Sequence, residues 1–292
     1  MENKKISVIF DGAAAVRALP ARPAESNKGT FGRVLCVCGS KGMSGAAFLA
    51  AKAAYRVGAG LVQILTVEEN RAILQGQLPE AIVTVYDPEA PDLDLLRSLG
   101  ERADALVIGP GLGISPASRR LVSFFLRYVK KPTVLDADGL NLLSANPSLL
   151  KHARGAILTP HPMEMSRLLG CSVEEVLADP QSVALEYAGA HGVTVVMKGH
   201  CTAVTDGGET LYLNRTGNSG MATGGSGDVL AGMIGGLLAY RGELSSLTVA
   251  SAGVYLHGLA GDLAAARLSE HSVMAGDILE SVPEAIRRTL GK

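Results

Sequence analysis

The segment Asn218 to Asp228, NSGMATGGSGD, places three glycines within four residues directly before an apolar run from Val229 to Tyr240. Closely spaced glycines let successive backbone N–H groups converge, and a helix beginning there adds positive partial charge, so this stretch predicts a loop that holds phosphate. Asp228 stands at the start of that helix. A lone Ser-Gly-Asp reads as a plain N-cap; after a glycine cluster it reads as a functional carboxylate. Other polar, glycine-rich segments follow short apolar runs: Gly39-Ser40-Lys41-Gly42, Gly109-Pro110-Gly111-Leu112-Gly113, Asp136-Ala137-Asp138, Thr159-Pro160-His161-Pro162 and Lys198-Gly199. If those runs are strands of an open parallel sheet, the segments lie at the carboxyl ends where such sheets bind ligands. Together they predict a nucleotide site.

Three familiar signatures are absent. Gly39 to Ser44 supplies glycines without the terminal Lys-Ser of a Walker A loop, GSKGMSG has the wrong spacing for a dinucleotide fingerprint, and Asp228 replaces the last glycine of G-x-S-x-G. A dehydrogenase of the Rossmann type and a hydrolase with a nucleophile elbow are therefore disfavoured.

The elements that must position these residues alternate along the chain. Arg33 to Cys38 is β-rich, and Gly45 to Val57 is Ala-rich and helical in composition. The rhythm repeats at Leu61 to Val67, Ala81 to Val85, Ala105 to Ile108, Thr133 to Leu135, Ala156 to Leu158 and Val193 to Met197. Apolar strands alternating with helices predict an α/β fold, a mostly parallel central sheet covered by helices on both faces. Cys201 to Leu213 holds two short strands around Asp206-Gly207-Gly208, which predicts a hairpin giving the sheet an antiparallel edge. Residues 1–32, with Pro20 and Pro23, read as a surface entry segment; after Gly227 the chain reads as helical, at Val229 to Tyr240, Leu247 to Leu263 and Ile278 to Leu290. No linker, charge block or repeat interrupts residues 1–292, which reads as one domain.

The 292 residues carry 27 Lys and Arg against 28 Asp and Glu, a net charge of −1, with 47% hydrophobic residues and a mean hydropathy of +0.24. With 4% aromatic residues and no Trp, the basic surface and stacking platform of a nucleic-acid binder are missing. The longest apolar run is far short of the ~20 residues of a membrane span. No signal-peptide layout is present, so a cytoplasmic location is expected. Cys36, Cys38, Cys171 and Cys201 form no C-x-x-C pair, and reduced, mostly buried thiols are expected.

Taken in order, these segments resemble the ADP/ATP-dependent NAD(P)H-hydrate dehydratase family of the ribokinase-like superfamily, over nearly the whole chain. The matching segments include KGTFGRVLCVCGS (Lys28 to Ser40), SGAAFLAAKAAYRVGAGLV (Ser44 to Val62), GPGLG (Gly109 to Gly113), LDADGLNLL (Leu135 to Leu143), LTPHPMEMSRLLG (Leu158 to Gly170), VVMKGHCTAV (Val195 to Val204), TGNSGMATGGSGDVLAGM (Thr216 to Met233) and HGLAGDLAA (His257 to Ala265). As an ordered set they are highly specific, and they fill the chain as expected of the stand-alone dehydratase form.

The resemblance implies a carbon–oxygen lyase that repairs the S-form of hydrated NADH or NADPH. ADP is the expected donor, with ATP the eukaryotic-type alternative; its terminal phosphate passes to the C6 hydroxyl and then leaves, restoring NAD(P)H and releasing AMP and phosphate. By similarity Asp228 accepts the hydroxyl proton and the amides of Gly225, Ser226 and Gly227 hold the phosphoryl group. Ala46, Gly113, His161 and Asp228 would bind the hydrate; Lys198, Gly199, His200, Cys201, Thr202 and Gly227 would bind the nucleotide. Glu164 would organise Mg²⁺ through water, His161 standing where related vitamin kinases have Asn. Asp136 and Asp138 either lie near that metal or cap the Gly139 to Leu143 helix. An aspartate at a helix N-terminus is expected to have a lowered pKa and to be a weak base, which a loose phosphoryl-transfer transition state tolerates. The resemblance further implies a homotetramer, for which apolar surface on the C-terminal helices would serve, and a separate NAD(P)H-hydrate epimerase as working partner. The rival reading within the superfamily is a kinase of a hydroxymethyl vitamin precursor.

Overall fold

Strand β2 (Arg33–Val37) divides its side chains between two cores: Leu35 and Val37 enter one, Val34 and Cys36 the other. That period-two division, with both sides apolar, is what a strand buried on both faces requires. In the computed structural model of the chain, residues 6–19, 21–240 and 244–292 are described. Residues 1–5, Pro20 of the expected entry segment, and residues 241–243 lie outside the described residues.

The strands are β1 (Ile6–Ile9), β2, β3 (Leu61–Thr66), β4 (Ile82–Val85), β5 (Ala105–Ile108), β6 (Thr133–Leu135), β7 (Ile157–Leu158), β8 (Thr194–Met197), β9 (Ala203–Thr205) and β10 (Thr210–Leu213). They form a 10-stranded sheet in the order β1-β10-β9-β8-β7-β6-β5-β2-β3-β4. β9 pairs antiparallel with both β8 and β10, and the other neighbours pair in parallel. The predicted hairpin is therefore present, with one correction. The outermost position on its side belongs to β1, drawn from the segment read as a surface entry, and Ile6 to Ile9 pair with Thr210 to Leu213. Four residues with Val8 and Ile9 exposed leave no period for a sequence reading to find.

The helices are α1 (Gly12–Ala18), α2 (Ser44–Arg56), α3 (Arg71–Gln77), α4 (Leu93–Arg102), α5 (Pro116–Tyr128), α6 (Asp138–Ser144), α7 (Pro162–Leu169), α8 (Val173–Ala178), α9 (Pro180–His191), α10 (Ser226–Ala239), α11 (Ser246–Leu268) and α12 (Ala275–Thr289). Buried residues of α4 to α9 share a core with one face of the sheet, while α2, α3, α10 and α11 share a core with the other. A third core joins α1 and α12 to α2, α10 and α11.

Helix α10 is apolar all round because it is covered all round. A Cβ at Gly232 would stand 2.1 Å from the Ala50 carbonyl oxygen, and one at Gly235 would stand 2.1 Å from a Val107 methyl. Glycine at those two positions lets α10 touch α2 on one side and the sheet on another, which fixes where its N-terminus points. The expectation of apolar surface on the C-terminal helices is corrected. Ile278, Leu279 and Val282 are buried, and the exposed large hydrophobics beyond residue 243 are Leu244, Leu268, Met274 and Leu290, all at helix ends or outside them.

Candidate active site

Because β8, β7, β6, β5 and β2 are consecutive neighbours, Lys198, Thr159, Asp136, Gly109 and Gly39, each at or just past a carboxyl end, fall into one row. Backbone hydrogen bonds continue the register past the strands: Thr159 N–H donates to Leu135 O (3.1 Å) and Asp136 N–H to Ile108 O (3.1 Å). The sequence-predicted segments are thus brought together by topology alone.

Asp136 is the buried centre of the row, 1% exposed. Its Oδ1 accepts from Thr159 Oγ1 (2.6 Å) and from Lys198 Nζ (2.9 Å). Lys198 Nζ also lies 3.7 Å from Glu164 Oε2. Burial lowers the Lys198 pKa, but Asp136 and Glu164 outweigh it and the net shift is upward, so the ammonium stays charged. Asp136 does not cap the following helix. Ala137 holds φ +47°, a left-handed conformation unusual for a residue with a Cβ, and it turns the two flanking carboxylates to different tasks. Asp138 lies in the first turn of α6, and its Oδ2 accepts from Gly113 N–H (2.8 Å).

His161 is the N-cap of α7. Its Nδ1 accepts from the N–H groups of Met163 (3.2 Å) and Glu164 (3.3 Å), while Glu164 Oε2 accepts from His161 N–H (2.8 Å). An accepting Nδ1 places the ring hydrogen on Nε2, 3.5 Å from Glu164 Oε1. Burial lowers the His161 pKa, with Glu164 opposing and Lys198 and Arg167 adding to the shift.

Asp228 is the third residue of α10 and makes no capping bond; the N-cap is Gly225, at φ +91°. Its pKa is raised to about 7, first by burial, then by Asp136 and Asp138, with Lys198 opposing. This reverses the sequence expectation of a lowered value. A helix terminus contributes about 0.3–1 kcal/mol at an exposed site, less than the desolvation of a carboxylate set among other carboxylates. Neighbouring Gly227 faces the row: a Cβ there would lie 3.4 Å from Lys198 Nζ and 3.9 Å from Asp136 Oδ2. Ser226 N–H donates to Thr223 O (3.3 Å).

A cavity of about 800 Å³ opens between this helix end and the row, with Asp136, His161, Lys198 and Asp228 in its wall. Of the expected nucleotide residues, Lys198, Gly199, His200, Thr202 and Gly227 line it. Cys201 is not among the lining residues; it is exposed, and its Sγ donates to Asn214 O (3.3 Å). Cys36 and Cys38 are buried free thiols as expected, and Cys171 is half-buried. Ala46 and Gly113 lie outside the cavity lining, on the flank beyond Asp138. A Cβ on Gly111 would come 2.8 Å from that of Ala46, and one on Gly113 would meet Ser40 at 3.4 Å.

The far wall, from Thr216 to Asn218, is fastened by Tyr255 and Asp262 of α11, which sequence reasoning did not single out. Thr216 Oγ1 donates to Tyr255 O (2.9 Å), and Asp262 accepts from Gly217 N–H (2.9 Å) and Asn218 Nδ2 (2.9 Å). Asp262 belongs to the quoted HGLAGDLAA segment, where an acid within a helix reads as a solvated face; only the long-range contact reveals its use.

Among the described residues no group of three His, Cys, Asp or Glu side chains could cage a metal ion. Asp136 and Glu164, both beside Lys198, instead fit a Mg²⁺ carried on phosphates, since Mg²⁺ keeps most of its waters and takes one or two carboxylates.

A phosphate-type helix end facing Lys198 and Asp136 across a row of strand ends, on a doubly covered sheet, is the arrangement of a nucleotide-binding α/β protein. The sequence pattern of the NAD(P)H-hydrate dehydratase family matches residues 34–284, and the chain belongs to that family. It is 43% identical over 277 residues to the bifunctional NAD(P)H-hydrate repair enzyme of Moorella thermoacetica, covering 92% of this chain and 52% of that protein. The chain thus spans about half the length of the bifunctional relatives it matches. It is 44% identical over 249 residues to the ADP-dependent (S)-NAD(P)H-hydrate dehydratase of Neisseria meningitidis, covering 83% of this chain and 80% of that one. The ADP/ATP-dependent NAD(P)H-hydrate dehydratase of Bacillus subtilis, crystallised with ATP and Mg²⁺, superposes with a TM-score of 0.81 at 30% identity, covering 96% of this chain and 98% of that chain. The fold is ribokinase-like. Among the described residues, no helix is long and apolar enough to cross a membrane.

Proposed function

We propose that the chain is an ADP-dependent (S)-NAD(P)H-hydrate dehydratase, acting as a single ribokinase-like domain. The observation that carries this reading is Asp228 at the α10 N-terminus, facing Lys198 and Asp136 across the cavity. Hydroxide is a poor leaving group from C6 of the hydrated ring, whereas phosphate is a good one. Asp228 takes the C6 hydroxyl proton while the oxygen attacks the β-phosphorus of ADP and AMP departs. Lone-pair donation from the ring nitrogen then expels phosphate, and loss of a C5 proton restores the C5–C6 double bond. A base near pKa 7 is half ionised at neutral pH, which suits both taking and returning a proton.

Gly225, Ser226 and Gly227 hold the phosphoryl group at the helix end. Lys198, with Gly199, His200 and Thr202, holds the nucleotide. His161, with Ala46 and Gly113, holds the hydrate on the opposite flank. Glu164 and Asp136 would hold a Mg²⁺ carried on the phosphates, which would neutralise phosphate charge. The homotetramer, the cytoplasmic setting and a separate epimerase partner are carried by the family resemblance, and light scattering tests the first.

The deciding experiment incubates the protein with hydrated NADH, Mg²⁺ and ADP or ATP, following dihydronicotinamide absorbance and phosphate release. Recovery of absorbance with stoichiometric phosphate is expected with ADP. A phosphorylated small molecule made without free phosphate would point to the vitamin-kinase reading instead.

A further inference from the structure

His257 is a buried titratable group with no part in the chemistry above. It is 8% exposed, lies on α11 and lines the same cavity as Asp228. Its Nε2 is 3.4 Å from Ser226 Oγ, and Ser226 is the first residue of α10, between Gly225 and Gly227. Burial lowers the His257 pKa to about 4, with the Ser226 backbone opposing and Lys198 adding to the shift. The ring is therefore neutral at pH 7, with one nitrogen a donor and the other an acceptor.

The surrounding turns of α11 already serve this loop. Tyr255 and Asp262 accept from it, and a Cβ on Gly258 would strike Thr216 Oγ1 at 2.2 Å. A serine hydroxyl at a phosphate-holding helix end is useful as a donor, but an unrestrained hydroxyl rotates. A ring N–H donated to Oγ occupies one of its lone pairs and leaves the hydroxyl hydrogen free to turn into the cavity. A 3.4 Å separation is long for a hydrogen bond, and catalytic hydrogen bonds of this length tighten when the reacting group arrives.

We propose that His257 is a positioning residue for phosphoryl transfer: its Nε2 hydrogen is donated to Ser226 Oγ, which directs the Ser226 hydroxyl hydrogen to the transferred phosphoryl group. The inference rests on the dehydratase reading for its kinetics, so the test includes a binding measurement that does not.

With hydrated NADH and ADP, His257→Asn is expected to lower kcat about tenfold with KM for ADP within about twofold, short of the ~10²–10³ lost when an oxyanion donor is removed outright. His257→Gln, whose amide nitrogen reaches the Nε2 position, is expected to recover most of that loss. Ser226→Ala is expected to be at least as slow as His257→Asn, and the double variant no slower than Ser226→Ala alone. In parallel, AMP with aluminium fluoride, a mimic of the phosphoryl in flight, is expected to bind about tenfold more weakly to His257→Asn, and AMP alone equally well. Equal rates for the Asn and Gln variants, or multiplying losses in the double variant, would overturn the inference while wild-type turnover left the dehydratase reading standing. Wild-type protein with no turnover would sink that reading alone, and unchanged aluminium fluoride binding in His257→Asn would then overturn the role of His257.

Discussion

The two flanks of the α10 N-terminus are held by different physics. On the proposed nucleotide side, the Thr216 to Thr223 loop is fastened by polar groups of one long helix, the Asp262 carboxylate and the Tyr255 backbone carbonyl. On the proposed hydrate side, the Gly109 to Gly113 loop is fastened by backbones in contact: a Cβ on Gly109, at φ +125°, would lie 1.9 Å from Asp136 O. Polar fastenings cost about 1 kcal/mol each to remove and leave the fold in place. Close backbone approach tolerates no substituent, so the hydrate side is rigid and the nucleotide side is adjustable.

The largest expected effect is on the residue both flanks share. Asp228→Asn should cut turnover by about 10²–10⁴, the range for a lost general base, while ADP binding measured by calorimetry stays near wild type. In wild type, kcat/KM should rise tenfold per pH unit below about pH 7 and level off above it, because the raised pKa keeps Asp228 protonated in acid. Lys198→Met removes an influence that lowers this pKa, so the rising limb of its residual activity should move to higher pH. A limb that does not move would mean that Lys198 does not tune the base.

Next comes the rigid flank. Gly109→Ala should destabilise the protein by about 3 kcal/mol, seen as a fall of roughly 6–10 °C in Tm, from strain and overpacking together. On the adjustable flank, Asp262→Ala should leave Tm within about 2 °C and raise KM for ADP some five- to tenfold, the net worth of roughly one hydrogen bond. An Asp262→Ala variant as unstable as Gly109→Ala would erase the distinction between the flanks.

The same contrast explains how much could be read in advance. Strand ends, glycine loops and the phosphate-type helix start are local patterns, and Gly109, Asp136, Lys198 and Asp228 emerged from them. Asp262 and His257 act across 45 and 31 residues of chain, and nothing local distinguishes them from other polar residues of a helix. Edge strand β1 was missed for the same reason, since its pairing with β10 lies some 200 residues away. The Asp228 pKa was misjudged because the helix end is visible in sequence and the burial beside Asp136 is not.

The smallest expected effect is on stability against pH, and it sets the two buried groups of the phosphate loop against each other. Asp228 has a folded pKa of about 7, above its ordinary value of 3.8. Its contribution is fully present below about pH 3.8 and is lost as pH rises through 7. His257 has a folded pKa of about 4, below 6.5; its contribution is present above pH 6.5 and is lost as pH falls through 4. Between pH 4 and 7 the two slopes oppose. Scanning calorimetry across that window should therefore find Asp228→Asn gaining on wild type as pH rises and His257→Gln gaining as pH falls, each by about 1 kcal/mol per pH unit, or some 2–4 °C in Tm per unit. Parallel shifts in the two variants would mean that one of the groups titrates as it does in the unfolded chain. The loop would then hold one desolvated charge site, at the rigid flank's shared carboxylate, and the adjustable flank would owe its position to hydrogen bonds alone.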